Sequence, residues 1–134
     1  MTNVLAPMAW TEFSLTPKPS RADIIAMINH AVNSGIQPSP RPALLADPWL
    51  IWPVIGQCHD YAVTKREELL LRGFAPSDCL LAECIVADGE HHLVLIVDGM
   101  VLDNLHSAIL PVEKVRYTWV RRQTSANPDY WEAP

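Results

Sequence analysis

Two Asp-Gly pairs in the second half of the chain, Asp88-Gly89 and Asp98-Gly99, each separate two apolar runs. Asp-Gly favours the tight turns that join antiparallel strands, because glycine tolerates the positive φ that these turns need. Strands are therefore predicted over residues 80–87, 92–97, 100–105 and 115–121. The second half of the chain is expected to form an antiparallel sheet.

The first half carries helical patterns instead. Ser20 can cap a helix over residues 21–32, which ends at Asn33-Ser34-Gly35, and a second helix is predicted over residues 58–72, with Gly73 as its C-terminal cap. The apolar face of the first helix holds Ile24, Ile25, Ile28 and Ala31. On the second helix, Tyr61, Ala62, Leu69 and Leu70 suit burial, whereas Lys65, Arg66, Glu67 and Glu68 suit solvent. The predicted fold class is α+β, with N-terminal helices packed on one side of an antiparallel sheet.

The length of 134 residues predicts one domain. We assign residues 1–19 to an irregular N-terminal arm and residues 20–134 to that domain. Residues 36–55 contain five prolines and fit no regular element. Trp49 and Trp52 in this loop are candidates for a cleft wall, and the alternative is a loop that two indoles pin to the core.

Composition excludes several classes of function. The net charge of −5 argues against nucleic-acid binding, and no apolar stretch approaches the roughly 20 residues of a membrane helix. The three cysteines form no disulfide framework, and Cys79 and Cys84 are expected in the core.

With no visible secretory signal, a cytoplasmic location is expected, or a periplasmic one if a leader was removed. The oligomeric state stays open.

Cys58 is predicted in the first turn of the second helix, where free N–H groups and the helix dipole favour a thiolate. A thiol nucleophile needs a base and a group that orients the base. If Asp98-Gly99 is a two-residue turn, Val94 pairs with Asp103, and His92 lies on the same face as Asp103. In that register His91 points to the other face, and a slip of one residue would exchange the two histidines.

The segments that carry these residues resemble a known family. They are Cys58-x-Asp60-Tyr61-Ala62-x-x-Lys65, His92-x-Val94-Leu95 and Val101-Leu102-Asp103-Asn104-Leu105, with Ile28-Asn29-x-x-Val32-Asn33 on the first helix. The pattern is similar to that of the bacterial transglutaminase-like cysteine proteinases, which include a periplasmic protease that clips adhesins. The resemblance implies a papain-like, transglutaminase-type core. It also implies Cys58 as the nucleophile, His92 as base and then acid, and Asp103 as the group that orients His92.

The oxyanion donors implied by this arrangement are the N–H of Cys58 and, by adjacency, Gln57. In the adhesin-clipping members, acids on both sides of the cysteine hold calcium. Here Gln57 and His59 stand beside Cys58 and only Asp60 remains, so we expect no calcium site. A zinc site of Cys58, His59, His91 and His92 matches no known ligand spacing, and no cofactor is expected.

The leading hypothesis for function is a cysteine peptidase that acts on a protein or peptide through a thioester on Cys58. One alternative keeps this chemistry but transfers the acyl group to an amine, as a transglutaminase or amidase would. Another is a non-catalytic binding domain of the same fold, encoded by a phage or prophage. Reactivity of Cys58 with iodoacetamide at mildly acidic pH would separate the enzymes from the binding domain.

Overall fold

The computed structural model describes residues 17–134, so most of the predicted arm over residues 1–19 lies outside the described residues. Helix α1 covers Arg21–Gly35 and helix α2 covers Cys58–Leu71. Ser20 caps α1 as predicted: its hydroxyl accepts the N–H of Asp23 at 3.1 Å, and the Asp23 carboxylate accepts the N–H of Ser20 at 3.3 Å. None of the helices described is long and apolar enough to cross a membrane.

Within residues 17–134 the strands are β1 (Gln37–Pro38), β2 (Ile55–Gly56), β3 (Cys79–Ile85), β4 (His91–Val97), β5 (Met100–Leu102), β6 (Leu110–Pro111), β7 (Thr118–Gln123) and β8 (Trp131–Glu132). Six of these form one antiparallel sheet in the order β6-β5-β4-β3-β7-β8. The fold is therefore α+β, with two helices packed on a six-stranded antiparallel sheet in the part of the chain described here.

The loop over residues 36–55 is more regular than its prolines suggested. β1 and β2 pair in parallel, with Gln37 beside Ile55 and Pro38 beside Gly56. The N–H of Gln37 donates to Val54 O, and the N–H of Ser39 donates to Gly56 O. The prediction of no regular element here was wrong, because a two-residue pair leaves no periodicity in the sequence.

The two turns lie where the Asp-Gly pairs predicted them. Asp98 and Gly99 have φ values of 53° and 74°, and Gly89 has a φ of 87°. Across the Asp98-Gly99 turn, Val97 pairs with Met100 and Leu95 with Leu102. This is the predicted register, although β5 ends at Leu102 rather than at residue 105.

The sheet buries both of its faces. Leu81, Leu93, Leu95 and Val97 belong to the core under α1 and α2. On the opposite face Ala82, Val94, Ile96 and Val101 pack under Val112, Val115, Tyr117 and Trp119. His92 alternates with Leu93 along β4, so it belongs to the face opposite the main helical core.

The prediction that Lys65 faces solvent was wrong. Lys65 is 0% exposed, whereas Arg66, Glu67 and Glu68 are half-buried. α2 packs against α1 as well as against β3 and β4, so more of its circumference is covered than its polar sequence indicated.

Candidate active site

The start of α2 holds Cys58 in a tightly packed position. A Cβ on the preceding Gly56 would lie 2.9 Å from Ile36 Cγ2 and 3.1 Å from Asp60 Cβ, so this approach requires glycine. The Asp60 carboxylate accepts the N–H of Gln57 at 2.9 Å through one oxygen and the N–H of Leu50 at 2.8 Å through the other. These two bonds fix the helix start against the loop before it.

His92 and Asp103 meet as the register predicted. His92 Nε2 lies 2.7 Å from Asp103 Oδ1, and the two residues are 4% and 3% exposed. The N–H of Leu105 also donates to Asp103 Oδ1, at 3.0 Å. This local bond ends β5 and holds the carboxylate towards the imidazole.

His92 also interacts with the thiol of Cys58. Burial lowers the pKa of His92, but hydrogen bonding and charge interactions with Asp103 and Cys58 outweigh burial and raise the pKa to about 9. Burial raises the pKa of Asp103, and its bond to His92 reverses this, so that the pKa is lowered. The structure therefore brings Cys58, His92 and Asp103 together in one buried group, with the proton favoured on His92.

Tyr117 belongs to the same group, although the sequence analysis did not identify it. Its hydroxyl donates to Asp103 Oδ2 at 2.5 Å, and its ring meets His92 edge-on, with ring centroids 5.9 Å apart. Tyr117 precedes β7 and is distant in sequence from both partners. No local pattern indicated this contact, which depends on how β7 pairs with β3.

His91 is separate from this group. Its Nδ1 lies 2.8 Å from Glu83 Oε2, and Arg121 Nε donates to Glu83 Oε1 at 2.9 Å. His91 is therefore held on the opposite face from His92, as the register predicted.

Gln57, Trp49 and Trp52 each make a contact between α2 and the loop before it. Gln57 Oε1 accepts the N–H of Leu44 at 3.3 Å, and this bond leaves the Nε2 donors available. Trp49 stacks on His59 with ring centroids 5.7 Å apart, and Trp52 Nε1 donates to Glu68 at 3.0 Å. Both indoles are thus anchored to α2, and their role as cleft walls stays a prediction.

A cavity of about 460 Å³ opens beside this helix start. Its lining includes Asp47, Leu50, Ile55, Gln57, His59 and Asp60. His59 is 1% exposed, and burial lowers its pKa. Within residues 17–134 no three His, Cys, Asp or Glu side chains are grouped to hold a metal ion.

The remaining cysteines are core residues, as expected. Cys79 and Cys84 are both 0% exposed. Burial raises the pKa of Cys79 to about 11 and that of Cys84 to about 12. Neither is therefore a competing nucleophile near neutral pH.

Lys65, which the sequence analysis assigned to the solvent side of α2, is a further buried group near the site. Its Nζ is buried without a hydrogen-bond partner among the described residues. Burial lowers the pKa of Lys65 to about 7, against the opposing effect of the Asp103 charge. When protonated, Lys65 therefore interacts electrostatically with the Asp103 carboxylate.

Comparisons with known proteins agree with this fold. The family model described as "Bacterial transglutaminase-like cysteine proteinase BTLCP" matches residues 3–133. The calcium-bound structure of LapG from Legionella pneumophila is similar, with a TM-score of 0.65 and 22% identity over 81% of this chain and 67% of that chain. The EGTA-treated structure gives a TM-score of 0.63 and 20% identity over 84% of this chain and 67% of that chain. None of the curated proteins matches the chain.

Proposed function

The chain belongs to the family of bacterial transglutaminase-like cysteine proteinases, and we propose that it cleaves an amide bond of a protein or peptide through Cys58. One observation carries this proposal. The buried His92, held by Asp103 and adjacent to Cys58, has a pKa raised to about 9. His92 is thus a candidate for the base and acid that assist attack by the Cys58 sulfur.

In the proposed acylation, the Cys58 sulfur attacks the substrate carbonyl carbon and its electrons move onto the carbonyl oxygen. The N–H of Cys58, at the first turn of α2, and Nε2 of Gln57 are the proposed donors to this oxyanion. When the tetrahedral intermediate collapses, the C–N bond breaks and His92 gives its proton to the leaving amine. A thioester on Cys58 remains.

In the proposed deacylation, neutral His92 takes a proton from water, and the oxygen attacks the thioester carbonyl. Collapse of the second tetrahedral intermediate releases the acid and restores the thiolate beside protonated His92. Asp103 keeps the imidazole oriented in both half-reactions and stabilises its charged form. Mass spectrometry of the products distinguishes water from an amine as the acceptor.

Calcium does not fit the helix start in this chain, although one of the LapG structures is calcium-bound. Both carboxylate oxygens of Asp60 accept backbone N–H groups, from Leu50 and Gln57. The neighbouring side chain, His59, is an imidazole that stacks on Trp49 and has no oxygen atom to offer. Ca²⁺ is usually bound by several oxygen ligands. We propose that the first turn of α2 is held together by these protein contacts without a metal ion.

Two experiments test the proposed function. Iodoacetamide at mildly acidic pH is expected to alkylate Cys58 and to leave Cys79 and Cys84 unmodified, as read by peptide mass mapping. Bacterial lysate incubated with the wild type, but not with Cys58→Ala, is expected to contain newly cleaved proteins. A Cys58 thiol that stays unmodified until alkaline pH would contradict the peptidase and favour a non-catalytic binding domain.

A further inference from the structure

Asp103 is held by hydrogen bonds on both of its carboxylate oxygens. Oδ1 is shared by His92 Nε2 and the N–H of Leu105. Oδ2 accepts from the hydroxyl of Tyr117 at 2.5 Å, its one hydrogen bond within residues 17–134. Because Asp103 is 3% exposed, loss of the hydroxyl would leave a largely buried carboxylate oxygen without this hydrogen-bond donor.

The Tyr117 ring also contributes to the surroundings of the pair. It meets the His92 ring at an interplanar angle of 86° and packs beside Trp119, with ring centroids 6.1 Å apart. Behind it lies a cavity of about 300 Å³ that both Tyr117 and Asp103 line. The ring and the Asp103 carboxylate therefore border the same cavity.

We propose that Tyr117 is a positioning residue that fixes the plane of the Asp103 carboxylate, so that Oδ1 faces His92 Nε2. This inference rests on the proposed function, because it assigns Tyr117 to the same reaction. Tyr117 acts only through Asp103 and His92. A carboxylate held on Oδ1 alone can rotate about its χ2 angle, and the imidazole then loses both orientation and charge stabilisation.

Tyr117→Phe removes this hydroxyl and keeps the ring. We expect the titration midpoint of the His92 imidazole, measured by NMR, to fall by about one pH unit or more, because a less well-held Asp103 no longer offsets the burial of His92. If the wild type cleaves a substrate, kcat should fall by about 10- to 100-fold, the effect of one lost hydrogen bond to a charged group, with KM little changed.

The titratable and charged groups around Tyr117 come from several elements. They are Asp103 after β5, His92 on β4, Cys84 on β3, and His106, Lys114 and Arg116 around the cavity. All of them are retained in Tyr117→Phe. A change in the His92 midpoint therefore reports the lost hydroxyl rather than a changed side-chain charge.

Tyr61→Phe is a matched control. The Tyr61 hydroxyl is buried, and it donates to Ile36 O at 2.9 Å instead of to the His92–Asp103 pair. Both variants should lose thermal stability, but only Tyr117→Phe should move the His92 midpoint. An unchanged or raised midpoint in folded Tyr117→Phe would overturn the proposal.

A measurement on the wild type keeps the test independent of whether the variant folds. The hydroxyl proton of Tyr117 should give a downfield, slowly exchanging NMR signal, as expected for a short bond to a buried carboxylate. Rapid exchange of this proton would overturn the proposal. If Cys58 proves unreactive in the wild type, the proposed function fails, while the His92 midpoint and the hydroxyl signal still decide the positioning of Asp103.

Discussion

Replacing Lys65 by methionine should stabilise the protein at neutral and acidic pH. The Lys65 side chain is 0% exposed and its Nζ has no hydrogen-bond partner among the described residues. Burial lowers its pKa from 10.5 to about 7, which corresponds to a cost of roughly 5 kcal/mol for keeping the ammonium in the fold. Methionine has a similar length and no charge, so on the order of 2–5 kcal/mol should be gained below pH 7.

The pH dependence distinguishes this cause from a general packing effect. Between about pH 7 and 10.5 the unfolded lysine binds a proton that the folded one has released, so wild-type stability rises with pH through this group. His92 acts in the opposite direction: its pKa is raised to about 9, so its contribution is lost as pH rises from 6.5 through 9. Both proteins keep His92, so the difference between them isolates Lys65.

Urea denaturation of the wild type and of Lys65→Met, at about pH 6 and about pH 10, measures this difference. The advantage of Lys65→Met should be largest at the lower pH and should shrink towards the higher one. Lys18→Met removes the same charge from an exposed position and should change little at either pH. If Lys65→Met were less stable than the wild type at low pH, or more stable by an amount independent of pH, burial of the Lys65 ammonium would not be what destabilises the wild type.

Three further predictions concern the candidate site. Cys58→Ala and His92→Ala should each abolish cleavage with the fold intact, whereas His91→Ala should remain active. Cleavage assays with any cleaved substrate measure this. An inactive His91→Ala together with an active His92→Ala would show that the histidine roles are exchanged. Asp103→Asn should lower kcat strongly, since a comparable change in a serine protease triad costs about 10⁴-fold, and a loss below tenfold would exclude Asp103 as the orienting group. The melting temperature and activity should be the same in excess EGTA and in millimolar Ca²⁺, and a rise of several degrees with Ca²⁺ that Asp60→Asn abolishes would contradict the absence of a calcium site.

The parts of the site that were predictable from the sequence are those set by local rules. The Asp98-Gly99 turn determines the pairing of β4 with β5, and that register alone places His92 and Asp103 on one face. Ser20 likewise marks the start of α1 through a local capping bond. In each case the information lies within a few residues of the feature it predicts.

The parts that were missed depend on packing between distant segments. Lys65 looked solvated because its sequence neighbours are charged, and its burial follows from α1 and the sheet covering α2 together. Tyr117 reaches Asp103 from the segment just before β7, and the pairing of β7 with β3 shifts register between Glu83 and Cys84. Such contacts carry no periodicity, so single-sequence patterns could not reveal them.

Gly35, the last residue of α1, lies so close to the Trp52 side chain in the loop before Cys58 that any larger side chain at position 35 would overlap with it. A Cβ on Gly35 would lie 2.7 Å from Cζ3 of Trp52, and Trp52 itself has a φ of 51°, which is unfavourable for a bulky side chain. In related sequences of this fold, positions 35 and 52 should therefore vary together, with a larger side chain at 35 accompanied by a smaller one at 52. For loop exchange between family members, this means that the segment leading into the cysteine must be transplanted together with the last turn of α1.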